Sequence, residues 1–437
     1  MADPATFVVE ADWIIPVEPP EAVLKDHAVV VSGGVIREVL PSRDARSRHP
    51  GARRIELAGH ALIPGLINLH THAAMTLMRG LADDRALMDW LQNHIWPVES
   101  RLVSEAFVRD GTLLACAEML RGGITCFNDM YFYPAAAARA ALEAGMRAAL
   151  GIIVIEMPSA YASDAQDYLT KGLETRDALK HEPLLSFCIA PHAPYTVSDK
   201  SFERIAMLQG ELELPLHIHL HETRDEIEQS LARHGVRPLA RLERLGLVDA
   251  ALIAVHAVHL TDPEGDLLAQ KGCHIAHCPS SNLKLASGFA SPARLLGKGV
   301  NVALGTDGAA SNNRLDVFME MRLAALLAKG TAGDPTLLPA HTVLEMATVR
   351  AARALGIEDR VGTLAPGKLA DMAAVNLRAL ELAPCYDPVS HLVYAAGREH
   401  VSHVWVNGEL LVDHGQLTRL DARELAAKAA YWQERIS

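Results

Sequence analysis

The sequence predicts an α/β protein: a (β/α)8 TIM-like barrel with a small β-sandwich formed by the N- and C-terminal segments. Three observations carry that expectation. Short β-branched apolar runs alternate with amphipathic Ala/Leu/Arg/Glu-rich stretches from about residue 62 to about residue 360. Polar and ionisable residues cluster at the carboxyl ends of those runs, the face on which barrel enzymes build their sites. Both flanks instead carry strand-like alternation broken by hairpin turns.

In chain order, residues 5 to 60 alternate like strands around Ser32-Gly33-Gly34, a hairpin turn. Eight barrel strands are then expected: Ala61 to Asn68, Gly123 to Asn128, Arg147 to Ile155, Leu184 to Ala190, Leu216 to Leu220, Ala251 to Val255, Gly272 to Ala276, and Val300 to Leu304. They deliver His70 and His72, then Asn128 and Asp129, then His192, His219 with Glu222, His256, His277 and finally Asp307. Residues 368 to 416 return to the flanking pattern, with Asn407-Gly408 as a second hairpin turn. Asp421 to Trp432 reads as a terminal helix, Asp421 and Glu424 standing at the spacing of a cap and its partner. The expected division is 1–61 with 364–437 for the small domain and 62–363 for a metal-dependent catalytic barrel.

Composition narrows the function. The chain has 437 residues, half of them apolar, enough for a large core. Its 41 basic and 53 acidic residues give a net charge of −12, with no basic run, which argues against nucleic acid or an anionic membrane as partner. Met1-Ala2-Asp3-Pro4 does not open a secretory signal, and no apolar run approaches the roughly 18 residues of a membrane span. A cytoplasmic protein acting on a small neutral or cationic molecule is expected. Six cysteines without a Cys-x-x-Cys are read as reduced thiols.

Two histidines at i and i+2 project from one strand face, so His70 and His72 can bind one metal ion. Among 21 histidines such a pair also arises by chance, and the rest of the chain decides. In Leu216-His217-Ile218-His219-Leu220-His221-Glu222, three histidines share one face, and spacing alone does not choose a ligand among them. Glu222 has the opposite parity and is expected past the strand end, bent over the site as a proton carrier. Asp307, between two glycines, is ordinarily a turn former, but at the end of the eighth strand it neighbours the first-strand histidines. A second zinc site in Cys273-His274-Ile275-Ala276-His277-Cys278 is rejected, because His274 and His277 point to opposite faces. That segment is taken as structural, His277 at most touching the pocket rim. Trp90 and Trp96 are read as helix-face packing rather than stacking groups.

Pro64 to His72, His219 with Glu222-Thr223, His256-Ala257-Val258-His259-Leu260, Cys278-Pro279-Ser280-Ser281-Asn282-Leu283-Lys284-Leu285 and Gly305 to Asn313 together resemble the amidohydrolase superfamily. More narrowly they resemble the 5'-methylthioadenosine/S-adenosylhomocysteine deaminases, as does Trp90 to Glu99; Gly367-Lys368-Leu369-Ala370-Asp371 matches the return to the small domain. The resemblance implies one Zn2+ per subunit, with Fe2+ or Mn2+ as substitutes, held by His70, His72, His219 and Asp307, with an open position for water. It implies that Asp307 takes the water's proton, that His256 orients the water, and that Glu222 protonates the purine ring nitrogen and then the departing amine. Glu99 would hold the ribose hydroxyls and His192 would contact the purine.

One departure bears on substrate. Relatives that accept S-adenosylhomocysteine hold its carboxylate with arginines shortly after the third strand, where this chain has Ile152 and then Met157, Pro158 and Tyr161. An apolar wall suits a methylthio group and leaves a carboxylate uncompensated. Methylthioadenosine and adenosine are therefore expected ahead of S-adenosylhomocysteine. The alternatives are an amidohydrolase of a free base or triazine, which would not need Glu99, and an inactive barrel serving as a binding module, which would not keep all four ligands. Similar proteins are often homo-oligomers.

Overall fold

The computed structural model describes residues 6–437; residues 1–5, with the Met1-Ala2-Asp3-Pro4 segment, lie outside the described residues. Sixteen strands form two eight-stranded sheets.

The first sheet joins the chain's two ends. It takes β1 (Phe7–Ile14), β2 (Leu24–Ser32), β3 (Val35–Pro41) and β4 (Arg53–Pro64) from one end, and β13 (Met372–Asn376), β14 (Val401–Val406), β15 (Glu409–Asp413) and β16 (Gln416–Leu417) from the other. β4 lies between β1, its parallel neighbour, and β13, its antiparallel one. Both expected hairpin turns form, at Gly33-Gly34 and at Asn407-Gly408, with all four residues in the left-handed region. The sheet curls until these turns meet: Ala370 N donates to Gly34 O, and Gly408 N to Ala370 O. The enclosed core includes Val9, Val29, Leu57, Leu62, Met372 and Trp405.

The second sheet is parallel throughout, from β5 (Leu66–Thr71) through β6 (Ile124–Asp129), β7 (Arg147–Val154), β8 (Leu185–Pro191), β9 (Leu216–Leu220), β10 (Leu252–His256) and β11 (His274–His277) to β12 (Asn301–Leu304). Intervening helices cover its outer face, so most of its strand residues are buried on both sides and read as nearly continuous apolar runs. The ring closes between β12 and β5 just beyond the end of β12. Thr306 N and Asp307 N both donate to His70 O, at 3.1 and 3.0 Å. Asn68 completes the seam: its Nδ2 donates to Thr306 Oγ1 at 2.7 Å and its Oδ1 accepts from Thr306 N at 2.9 Å.

Two expectations need correction. The apolar run Ala61 to Asn68 is not one strand but two: β4 carries the first sheet to Pro64, past the expected boundary at 61, and β5 begins the barrel at Leu66. Gly65 makes the break, where a Cβ would lie 2.1 Å from Thr125 Oγ1, so only glycine lets the chain cross there. The terminal helix runs on to Ile436, and its cap is Asp421 alone, accepting from Arg423 N at 2.8 Å; Glu424 faces Lys428 instead of closing a capping box. Among the described residues, no helix is long and apolar enough to cross a membrane.

The two sheets are joined by a buried bidentate ion pair. Arg147, at the start of β7, donates from Nε and Nη2 to Asp371, just before β13, at 2.9 and 3.1 Å. Asp371 Oδ1 also accepts from Asn407 N at 2.7 Å.

Candidate active site

At the carboxyl ends of β5, β9 and β12, side chains that are far apart in sequence meet. His70, His72, His219 and Asp307 bring one donor atom each to within 4.8 Å of one another. Asp307 Oδ1 lies 3.3 Å from His70 Nε2 and 3.2 Å from His72 Nε2, and the Nε2 atoms of His219 and His70 are 3.2 Å apart. The outer nitrogens are fixed: His72 Nδ1–H donates to Met130 O at 2.6 Å and His219 Nδ1–H to His192 O at 2.7 Å. A donor hydrogen on Nδ1 puts the lone pair on Nε2, facing the centre, which is the tautomer a metal requires. Burial among neighbouring histidines holds His219 well below the usual imidazole pKa, so it is neutral. Against burial, the Asp307 beside it raises His72 to about 9, so His72 would lose its proton on binding a cation; three imidazoles and one carboxylate are the donor set of an open catalytic metal site, and the group fits a divalent cation.

The ambiguity among three histidines on β9 is resolved by depth. His219 faces the centre, while His217 lies one layer down, its Nε2 2.9 Å from His70 Nδ1, backing the first ligand. His221 has left the strand with φ of 55°, and its Nε2 accepts from Leu239 N.

Around this group stand two further ionisable side chains, Glu222 and His256. Glu222 lies past the strand end as expected, and burial raises its pKa, favouring the protonated acid. Its position is set by Glu226, whose carboxylate accepts from His221 N at 2.9 Å and Glu222 N at 2.8 Å. His256 Nδ1–H donates to Asn282 Oδ1 at 2.9 Å, leaving Nε2 as an acceptor 3.9 Å from Glu222 Oε2. Asp307 Oδ2 accepts from Ser281 Oγ at 2.6 Å. His221, His256 and Asp307 all have positive φ, 55°, 69° and 61°. For such residues this backbone is strained by about 1–3 kcal/mol each; at His256 and Asp307 it turns the side chain toward the group, whereas His221 is turned away to Leu239 N.

The cavity above them is about 270 Å3 and mostly apolar. Also lining it, Glu99 on the helix Trp96–Leu102 accepts from Tyr131 Oη at 2.7 Å. Burial raises the Glu99 carboxyl to about 7 against the lowering effect of that hydrogen bond. His192 also lines the cavity; burial, with His72 nearby, lowers it to about 4. No arginine or lysine is among the described residues that line the cavity.

Several side chains sit differently from their sequence reading. Ile152 does not reach the cavity: it packs outward on Gly172, and Ile153 and Ile155 line the wall instead. The parity is one residue off from the expected one, and Tyr161 also lies outside the lining while Met157 and Pro158 belong to it. Trp90 and Trp96 pack on the core as read from the sequence, and the segment they sit on borders the cavity, with Trp90 buried and its Nε1 donating to Leu81 O. His277 is not on the rim but in a separate small cavity behind Asn282. Asn128 and Asp129 are structural: the first donates to Leu69 O, the second accepts from Ala73 N. Sequence reasoning missed Tyr131, which orients Glu99, and the supporting roles of Ser281, Asn282 and Glu226. Tyr131 follows the end of β6, and that position was its only signal.

Comparison with known proteins gives a consistent set of matches. The sequence profile of the amidohydrolase family matches residues 61–411. A 5-methylthioadenosine/S-adenosylhomocysteine deaminase of Teredinibacter turnerae is 48% identical over 98% of this chain and 97% of its own length. A protein of the same name from Saccharophagus degradans is 47% identical, covering 99% and 97%. The crystal structure of an adenosine deaminase from Xanthomonas campestris with bound zinc superposes with a TM-score of 0.98 at 50% identity, covering 100% of this chain and 99% of that one.

Proposed function

The chain belongs to the amidohydrolase family and, within it, to the 5-methylthioadenosine/S-adenosylhomocysteine deaminases, and from that premise we propose that it deaminates adenine nucleosides hydrolytically, 5'-methylthioadenosine and adenosine ahead of S-adenosylhomocysteine. The products are the inosine-type nucleoside and ammonia. One observation carries the reading: a single cavity is lined by His72, His219 and Asp307 of the four-donor group together with Glu222, His256 and Glu99, and by an apolar wall with no arginine or lysine among the described residues.

His70, His72, His219 and Asp307 would hold the metal, zinc in the first instance, with Fe2+ or Mn2+ as substitutes. Bound there, the ion supplies Lewis acidity that lowers the pKa of water towards about 7.

The remaining work falls to the protein. His256 accepts a hydrogen bond from the attacking water at Nε2, because its Nδ1–H is committed to Asn282. Asp307 receives the water's proton on its carboxylate, whose Oδ2 is held in place by Ser281. Glu222, kept protonated by burial, donates to the purine ring nitrogen beside the amino-bearing carbon. That carbon becomes electrophilic and water adds to it; the proton collected by Asp307 passes through the emptied Glu222 carboxylate to the amine, which leaves as ammonia, and the adduct's hydroxyl proton returns to Glu222 as the carbonyl forms. Glu99 accepts from the two ribose hydroxyls, its orientation set by Tyr131. His192, neutral and held by Thr196 at 3.1 Å, meets the purine edge. The methylthio group lies against Ile153, Ile155, Met157 and neighbouring apolar side chains.

The test is ammonia release from methylthioadenosine by enzyme stripped with chelator and then reloaded with zinc. Activity that disappears on stripping and returns with zinc supports the reading. Full activity in stripped protein would refute it.

A further inference from the structure

A second group of metal-type donors lies on the small sheet, separate from the cavity. His403 of β14, Asp413 at the end of β15 and His414 in the following turn place one donor atom each within 4.8 Å of one another. His403 Nε2 is 3.3 Å from Asp413 Oδ1, and His414 Nε2 is 3.8 Å from the same oxygen.

The backbone assembles this group. β14 and β15 pair antiparallel, and β15 and β16 are joined by a two-residue turn, His414-Gly415, both in the left-handed region with φ of 49° and 76°. Asn or Gly ordinarily fills the first position of such a turn. Here an imidazole does, and its ring centroid comes within 4.6 Å of that of His403.

The nitrogens also point the right way. Ser402 Oγ is 3.3 Å from Ala374 O, which can only accept, and 2.8 Å from His403 Nδ1. With the hydroxyl donating to the carbonyl, His403 Nδ1–H donates to the hydroxyl oxygen, and the Nε2 lone pair faces the Asp413 carboxylate. A cation between Nε2 and the carboxylate completes that arrangement; without one, the other tautomer, with Ser402 Oγ–H donating to Nδ1, lets Nε2–H donate to Asp413. The ring itself is held flat on Trp405, 5.7 Å between centroids and 11° from parallel. From β4, His60 stands 6.4 Å away by ring centroid, its Nδ1–H donating to Ala58 O at 3.0 Å and its Nε2 left as a donor atom.

We propose that His403, Asp413 and His414, with His60 beside them, form a second and peripheral site for a divalent cation that ties the β15–β16 hairpin to β14. Imidazoles with a single carboxylate select Zn2+, Cu2+ or Ni2+ over the hard cations Mg2+ and Ca2+. The site takes no part in the deamination, and its occupancy is read in binding and stability rather than turnover.

The experiment is calorimetric titration of Ni2+ into untagged enzyme already loaded with zinc, for the parent, His414→Ala and His403→Gln. His414 is 83% exposed by side chain, so its loss does not threaten folding even if replacement of the nearly buried His403 does. The parent is expected to bind one more equivalent of Ni2+ than His414→Ala and to melt at a higher temperature with Ni2+ present, a gain that His414→Ala loses. Turnover stays unchanged in His414→Ala. Equal nickel stoichiometry in parent and His414→Ala, or an equal thermal gain in both, would overturn the proposal.

Discussion

The general-acid role proposed for Glu222 rests on where it lies, past a strand end and buried. Burial raises its pKa, and the Glu226 carboxylate pins its backbone N–H, so the acid arrives protonated and in place. Glu222→Gln keeps the shape and a donor but cannot pass a proton on, so kcat is expected to fall about 10²–10⁴-fold with metal content unchanged, measured by ammonia release and metal analysis together. Near-parental turnover would move the proton relay elsewhere. A second buried carboxylate makes a prediction about stability. Glu320 accepts from Ser280 N and Asn312 Nδ2, and burial raises it to about 7. Its folded pKa is above the unfolded one, so between about 4.5 and 7 the folded state binds more protons and stability falls as pH rises, by up to about 1.4 kcal/mol per pH unit. Glu320→Gln removes that slope. Its melting temperature relative to the parent should rise from pH 5 to pH 8, and a constant difference across that range would contradict the assignment.

At the level of elements, the barrel's seam and the candidate active site are one structure. β12 is short, and beyond it the amides of Thr306 and Asp307 pair with His70 O, so closing the barrel is what brings Asp307 beside His70 and His72. Asn68 supports both by pairing twice with Thr306 from within the buried seam. Asn68→Ala is expected to cost about 1–3 kcal/mol for the two buried hydrogen bonds to Thr306 that it removes and to weaken metal retention, checked by thermal melting and by metal content after dialysis. Unchanged metal retention would uncouple seam from site. The eight barrel strands were legible because a parallel strand covered on both faces is written as an apolar run, and Leu216–Leu220 matches its expected bounds. The same uniform burial hides parity. In β7, where every residue is buried, nothing in the sequence distinguishes Ile152, which packs on Gly172, from Ile153, which lines the cavity. Likewise Ala61 to Asn68 reads as one run although Gly65 divides it between two sheets.

The molecule as a whole holds its two sheets together at few polar points, of which Arg147–Asp371 is the most buried. Burial disfavours the Arg147 charge, but Asp371 outweighs it and raises the guanidinium's pKa. Removing one partner leaves a buried charge, so Asp371→Ala is expected to lose about 3–5 kcal/mol, seen as a lower denaturation midpoint. A loss below 1 kcal/mol would mean that water reaches the pair. That His70, His72 and Asp307 meet was legible at this scale because strand order in a closed barrel brings the first and last strands together. Tyr131, Ser281, Asn282 and Glu226 were not, since hydroxyl, amide and carboxylate side chains occur throughout the chain and only the folded geometry assigns them to Glu99, Asp307, His256 and Glu222. The apolar, cation-free wall is likewise a property of the assembled cavity, and the substrate order follows from it. The most direct measurement is kcat/KM for methylthioadenosine, adenosine and S-adenosylhomocysteine, side by side on zinc-loaded enzyme. An uncompensated carboxylate should place S-adenosylhomocysteine at least about tenfold below the other two, roughly 1.4 kcal/mol in transition-state binding, whereas comparable values on all three would contradict the account.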